Sequence, residues 1–252
     1  MKETWVLKIS GNELSDRGFL GRLVDAVKSL RENVNLVIVH GGGKEIAELH
    51  HRLDVEYEFV EGLRSTGEEG IKLVEMVLSG LVNKRLVRLL VASGIDAIGM
   101  SGVDRGLMTV EPRFVKGKSL GFVGRITSVR AEAIESEIER GVLPVISPVS
   151  LGSDGSSYNV NADEAAQAIA VAIGANALIF LTNVPGVLKD GEPVSHIDPD
   201  QVERLIEAGT VYGGMIPKVR SAAEAVRSGV KQVVITDIDG LPAGRGTVVA
   251  FP

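Results

Sequence analysis

Residues Asn35 to Leu49 read NLVIVHGGGKEIAEL, an apolar β-branched run that stops at His40, three consecutive glycines, and then Ile46 and Leu49 at helical spacing. A short run of this kind, punctuated by glycine and followed by a 3.6-residue period, is a strand delivered into a helix. A helix opened by glycines aims its unpaired N–H groups outward with the positive end of its dipole behind them, which suits an anion. A tight turn accounts for the glycines equally well. A second junction adds weight to the anion reading: LKISGN brings Lys8 and Gly11 out of an earlier strand-like run, TWVLKIS.

The same alternation continues outward from this stretch. A helix is expected near residues 13 to 31, and another pattern of apolar positions, Ile71, Val74, Leu78, Leu81, Leu86 and Leu89, marks one buried face of a long helix from Glu68 to Ser93. DAIGMSG reads as a strand, and LMTVEPR with GFVGRITSV around KGKSLG reads as a hairpin excursion. LPVISPV, a helix from Ala162 to Ile173, NALIFLTNV, helices near 199 to 208 and 216 to 228, QVVITD and GTVVAF complete the series. Strands alternating with helices mean an α/β fold with a mainly parallel sheet.

Composition narrows the function. The 252 residues carry a net charge of -6, which disfavours an extended nucleic-acid surface but leaves room for a local phosphate site. Hydrophobic residues make up 44%, yet no apolar run approaches the roughly 20 residues needed to span a bilayer, so no membrane segment is expected. The opening MKETWVLKISGNEL lacks a secretory pattern, and the absence of cysteine excludes disulfides and thiolate metal sites; a cytoplasmic location is expected.

Familiar phosphate motifs are missing. Gly117, Lys118 and Ser119 have Pro112 where a P-loop needs its first glycine, and no G-x-G-x-x-G follows a strand. HGGG also forms the oxyanion loop of lipases, but the elbow G-x-S-x-G fails at Val103 in GMSGV. His40, His50, His51 and His196 show no metal-ligand spacing and are read as packed or surface residues; no resident metal is expected. Asn159, Asn161 and Asp163 stand at the mouth of an alanine-rich helix, where capping explains only one of them. Lys218 falls in the first turn of a helix behind Gly213 and Gly214, against the dipole, which calls for a compensating anion. Arg64, in EGLRST, offers the planar fork that fits a carboxylate.

The segments LKISG, VIVHGGG, EGLRST, VEMVLSGLVNK, GFVGRI, GVLPVISPV, YNVNADEAA, LTNVPGV and GGMIPKV, in this order and spacing, resemble the amino acid kinase family, and within it the branch that phosphorylates N-acetylglutamate. The resemblance implies a three-layer αβα sandwich around an open sheet. Residues 1–173 would form an acyl-amino-acid-binding and dimerisation lobe, and residues 174–252 a nucleotide-binding lobe. It implies transfer of the γ-phosphoryl group of MgATP to the side-chain carboxylate of N-acetyl-L-glutamate in arginine biosynthesis. Lys8 and Lys218 match the lysines that grip the phosphoryl group, and Asp163 matches the acid that orients them. Gly11, Gly42 and Gly43 match the backbone phosphate donors, Gly42 and Gly43 also adjoining the substrate, while Arg64 and Asn159 match the contacts to the α-carboxylate. Ser10, Thr182, Asn183, Gly186, Val187 and Gly213 fall in the nucleotide loops. Catalysis would rest on placed cations and N–H donors, with no general base for an already ionised carboxylate.

Three features depart from the family pattern. Ser10 replaces a glycine, Asn183 replaces an aspartate, and ITDIDGLPAGRGTVV lacks a helical segment, so thinner cover over ATP is expected. The start of the chain at its first strand implies an arginine-insensitive homodimer rather than a hexameric ring. Two rival readings stay open. One is a carrier-protein-linked aminoadipate or glutamate kinase of lysine biosynthesis, for which RFVKGK, Arg113 to Lys118, would offer a basic collar to a small acidic carrier. The other is a non-catalytic sensor of nucleotide or amino acid. A UMP or carbamate kinase leaves Arg64 and GLVNK unexplained.

Overall fold

The computed structural model describes residues 2–189 and 191–252. In its first half, β1 (Glu3–Ile9), α1 (Arg17–Asn33), β2 (Val34–His40) and α2 (Gly43–Arg52) precede a small ribbon, β3 (Phe59–Val60) with β4 (Leu63–Arg64). Then come α3 (Glu68–Glu75), α4 (Asn83–Ala92), β5 (Ala97–Gly102), β6 (Met108–Val115), β7 (Lys118–Val129), α5 (Glu132–Glu139), β8 (Leu143–Gly152) and β9 (Ser157–Asn159). The remainder holds α6 (Ala162–Ala172), β10 (Ala177–Leu181), β11 (Leu188–Lys189), β12 (Glu192–Pro193), β13 (His196–Ile197), α7 (Val202–Glu207), α8 (Met215–Arg227), β14 (Gln232–Thr236) and β15 (Thr247–Val249). The α/β class, the mainly parallel sheet and the hairpin expected from the sequence are all present. Among the described residues no helix is long and apolar enough to cross a membrane.

Two compact units emerge, Met1–Ile38 with Ala166–Pro252, and Val39–Ala165. In the first unit the strand order is β13-β15-β14-β10-β1-β2. β10 runs parallel to both β1 and β14, with Lys8 opposite Phe180 and Ile179 opposite Val234. These strands are nearly continuous apolar runs because both faces are covered, and Leu7, Ile9, Leu178, Phe180 and Ile235 are fully buried. α1 starts at Arg17, later than its apolar pattern alone suggests, because the Asp16 carboxylate caps it by accepting from the Phe19 N–H at 2.9 Å. A single 3₁₀ turn, Gly11–Glu13, fills the space after β1.

In the second unit β8 is the central strand, parallel to β5 and β6, while β7 folds back antiparallel on β6. The β6–β7 turn is the two-residue pair Lys116 and Gly117, both at positive φ (49° and 78°), the twist that suits a hairpin. α4 packs against β5 and β8, and α5 against β8.

The long helix differs from expectation in one respect. Between α3 and α4 the chain passes through a π-helical stretch, Met76–Val82, without leaving helical backbone angles. A π turn takes more residues per revolution, so the buried face is rotated beyond it. Ile71, Val74, Leu78 and Leu86 are buried as the spacing predicts, but Leu81 is 54% exposed, and Val82, Asn83 and Leu90 face the core in its place.

Candidate active site

In the first unit, Lys8 sits near the C-terminal end of β1 with only 5% of its surface exposed, and its Nζ donates to Ser10 Oγ at 3.4 Å. Because β1 and β10 are in parallel register, Lys8 stands opposite Phe180. Lys218, in the first turn of α8, brings its Nζ to 5.9 Å from the centre of the same Phe180 ring. A third residue, Glu13, ties this neighbourhood together. Burial pushes its carboxyl pKa upward, opposed by its own backbone N–H and then by the positive fields of both Lys8 and Lys218. Its Oε2 is buried without a hydrogen-bond partner. Two lysines more than two hundred positions apart thus act on one carboxylate beside Gly11.

The proposed nucleotide loops lie at the ends of β10 and β14. Thr182 N–H donates to Thr236 O at 2.9 Å, and Thr182 Oγ1 donates to Asn183 Oδ1 at 3.3 Å. Gly186 has φ of 151°, and a β-carbon there would lie 2.6 Å from Thr247 Oγ1, so this position is reserved for glycine. The next residue, Val187, is buried and donates its N–H to that same hydroxyl at 2.8 Å. Gly213, at φ 56°, is exposed in the turn before α8. The abbreviated tail closes on itself: Gly240 N–H donates to Asp237 Oδ1 at 2.6 Å, and Thr236 Oγ1 donates to Arg245 O at 2.7 Å.

In the second unit the glycine loop is built against the π-helical stretch. A β-carbon on Gly42 would meet Leu78 Cδ2 at 2.7 Å and Val82 Cγ2 at 3.2 Å, whereas one on Gly43 would meet nothing within 4 Å. Gly42 is therefore dictated by the protein's own wall, while Gly43 faces open space. The loop is anchored by His40, which is fully buried. Asn83 Nδ2 donates to His40 Nε2 at 3.1 Å and to Val145 O at 2.9 Å. The other ring nitrogen, Nδ1, then carries the proton and donates to Gly41 O at 3.0 Å. Burial depresses the His40 pKa to about 4, with the Gly41 carbonyl opposing and the Lys84 charge assisting, so the ring is neutral at pH 7.

Arg64 leaves β4 with its guanidinium 3.8 Å above the Tyr57 ring centre and 5.0 Å from that of Phe59. Its Nη2 donates to Gly43 O at 3.3 Å, and its Nη1 is buried without a hydrogen-bond partner. Asn159, at the end of β9, donates from Nδ2 to Thr66 Oγ1 at 3.3 Å, and that hydroxyl donates to Arg64 O at 3.0 Å. Thr66 is itself held by β7, through Thr66 N–H to Leu120 O at 3.0 Å and Phe122 N–H to Thr66 O at 2.8 Å. Gly43, Arg64, Thr66 and Asn159 thus form one linked cluster. Asp163 lies in the first turn of α6, its N–H donating to Asn161 Oδ1 at 2.8 Å, so Asn161 is the cap. The basic residues of RFVKGK are each matched by an acid: Arg113 with Glu164 at 2.6 Å, Lys116 with Glu61 at 2.7 Å, and Lys118 with Glu58.

Glu13, Thr66, Tyr57 and Asn83 have no role in the sequence pattern. Thr66 closes EGLRST and Asn83 lies in GLVNK, two segments that mark the family without assigning these side chains a task, and His40 is readable only as a packed residue. Among the described residues no group of three or more His, Asp or Glu side chains that could hold a metal ion occurs.

The sequence model described as "Amino acid kinase family" matches residues 3–237. The chain belongs to the amino acid kinase family. Among amino acid kinases it is 47% identical over 248 residues to the acetylglutamate kinase of Roseiflexus sp. (strain RS-1), covering 98% of this chain and 94% of that relative. It is 47% identical over 245 residues to the acetylglutamate kinase of Chloroflexus aggregans (strain MD-66 / DSM 9485), covering 97% and 96%. The crystal structure of smu.665 from Streptococcus mutans UA159 superposes with a TM-score of 0.87 at 32% identity, covering 100% of both chains. Family membership therefore extends across both compact units and the strand-glycine-helix junctions on which the kinase reading rests.

Proposed function

We propose that the chain is an acetylglutamate kinase, transferring the γ-phosphoryl group of MgATP to the side-chain carboxylate of N-acetyl-L-glutamate to give an acyl phosphate in arginine biosynthesis. The observation that carries this reading is the 47% identity to acetylglutamate kinases over 98% of the chain. Lys8 and Lys218 are assigned to the transferring phosphoryl group, and their joint effect on Glu13 supports a shared anion site. Gly11, Gly42 and Gly43 supply N–H donors, and Asp163 is the acid that balances the lysines. Arg64 and Asn159, joined through Thr66, take the acceptor's α-carboxylate. Ser10, Thr182, Asn183, Gly186, Val187 and Gly213 frame the nucleotide. Mg²⁺ enters as part of MgATP and screens its phosphate charge. The acceptor and dimer contacts are assigned within residues 1–173, and the nucleotide contacts, Ser10 apart, within residues 174–252.

The chemistry is placement and charge compensation. The acceptor carboxylate is already ionised at neutral pH and needs no base. The loose transition state spreads negative charge over the equatorial oxygens, where fixed ammonium groups and amides act most strongly. The enzyme is assigned to the cytoplasm as a homodimer; the solvent-facing Met76 and Leu81 of the π-helical stretch, 56% and 54% exposed, are apolar surface that a dimer contact would cover. The carrier-linked alternative loses ground because the basic residues from Arg113 to Lys118 are already paired with acids.

A hydroxamate assay offered ATP with N-acetyl-L-glutamate, N-acetyl-aminoadipate or UMP separates the readings. Product is expected with N-acetyl-L-glutamate. Product with only the aminoadipate compound transfers the chain to the lysine-pathway reading, and no product with any acceptor leaves a sensor.

A further inference from the structure

An arginine donates to a carboxylate through N–H bonds that lie in the plane of its guanidinium, so the tilt of that plane governs how well it binds. Arg64 sits on the two-residue strand β4, too short for the backbone alone to fix a long side chain. Its cross-strand partner is Phe59, whose ring stands at one flank. The closer contact is Tyr57, with its ring centre 3.8 Å beneath the guanidinium. Tyr57 comes from the segment between α2 and β3, which has no helix or strand. Side chains hold it there instead. The buried His50 ring meets Tyr57 edge-on at 4.8 Å, and Phe59 meets it edge-on at 5.7 Å. His50 is fixed in turn by its Nδ1 against Val55 O at 2.9 Å. One guanidinium nitrogen is committed to Gly43 O at 3.3 Å, while the other, Nη1, is buried with no partner.

We infer that Tyr57 is a positioning residue for acceptor binding: its ring face, braced by His50, sets the plane of Arg64 so that Nη1 is held ready for the acceptor's α-carboxylate. The inference rests on the proposed role of Arg64. The contact with the guanidinium is made by the ring face, so the face and not the hydroxyl is what the test varies. The ring acts equally on the bound ground state and transition state. It therefore governs acceptor KM and leaves turnover alone.

The test is steady-state kinetics on the full chain with ATP and N-acetyl-L-glutamate, for wild type, Tyr57→Phe, Tyr57→Leu, Arg64→Ala and the double variant Tyr57→Leu/Arg64→Ala. Tyr57→Leu is expected to raise the acceptor KM roughly three- to tenfold, the range that a cation–π contact supports, with kcat and the KM for ATP unchanged. Tyr57→Phe keeps the face and should stay near wild type. In the Arg64→Ala background, Tyr57→Leu should add nothing, because the residue it orients is gone. If Arg64→Ala raises the acceptor KM but Tyr57→Leu does not, or if Tyr57→Leu costs as much without Arg64 as with it, the positioning role is overturned and the arginine's role stands. If Arg64→Ala itself leaves the acceptor KM unchanged, the underlying site assignment fails instead. Should Tyr57→Leu fail to fold, Tyr57→Trp supplies the same test with a broader face: an acceptor KM at or below the wild-type value supports the inference, and a raised one with unchanged kcat contradicts it.

Discussion

Removing an ammonium group from water is costly, and Lys8 is 5% exposed. The surroundings compensate with the Ser10 hydroxyl at 3.4 Å and the carboxylate of Glu13, which feels Lys8 and Lys218 together. A charge held in such a place is pre-oriented before any anion arrives, which is the property that makes a fixed cation effective on a developing negative charge. Lys8→Ala is accordingly expected to lower kcat by roughly a hundredfold or more, by analogy with loss of a preorganised oxyanion donor. Stopped or continuous ADP-release assays measure this, and near-normal turnover would remove Lys8 from the chemistry. At this scale the sequence drew notice to the two lysines at their junctions with glycine, and the family resemblance gave them their expected role. It gave no sign of Glu13, because a carboxylate's role there depends on a helix that arrives from the far end of the chain.

The elements explain why the glycines differ from one another. Gly42 caps α2 directly against Leu78 and Val82 of the π-helical stretch, whereas Gly43 has open space where its side chain would be. Gly42→Ala must push a methyl to within 2.7 Å of Leu78 Cδ2, a side chain that is itself 2% exposed. The overpacking is expected to cost about 1–3 kcal/mol in urea unfolding. In a Leu78→Ala background the cost should shrink, since the offending atom is gone. Equal costs in both backgrounds would mean that the loop, not the wall, sets the penalty. The same π turn rotates Asn83 into the core and onto His40, which lies 43 positions earlier. Helical periodicity read over 68–93 places Leu81 inside and says nothing of Asn83. The difference is physical: the wider π turn takes Leu81 off the buried face and brings Val82 and Asn83 onto it, while Leu86 beyond it stays inside.

Over the whole molecule, the neutral buried His40 couples stability to pH. Its folded pKa of about 4 lies below the ordinary 6.5, so the unfolded chain takes up a proton that the folded one refuses. That contribution is complete above pH 6.5, and it is lost as pH falls towards 4, to a total of about 3 kcal/mol. Urea unfolding from pH 7 to pH 4 should show this slope in the wild type, and the gap between wild type and His40→Gln should narrow as pH falls; a constant gap would mean His40 titrates normally. Strands, helices, the β6–β7 hairpin and the glycine junctions were all readable in the sequence, because each is written in neighbouring residues as periodicity or turn chemistry. The order of the family's segments was readable for the same reason. Only the tertiary structure decided which side chains meet: Tyr57 beneath Arg64, Thr66 joining Arg64 to Asn159 from 93 positions away, Asn83 on His40, and Glu13 in the field of two lysines. Such contacts depend on the packing of distant segments and on the phase of a π turn, and no local pattern encodes either.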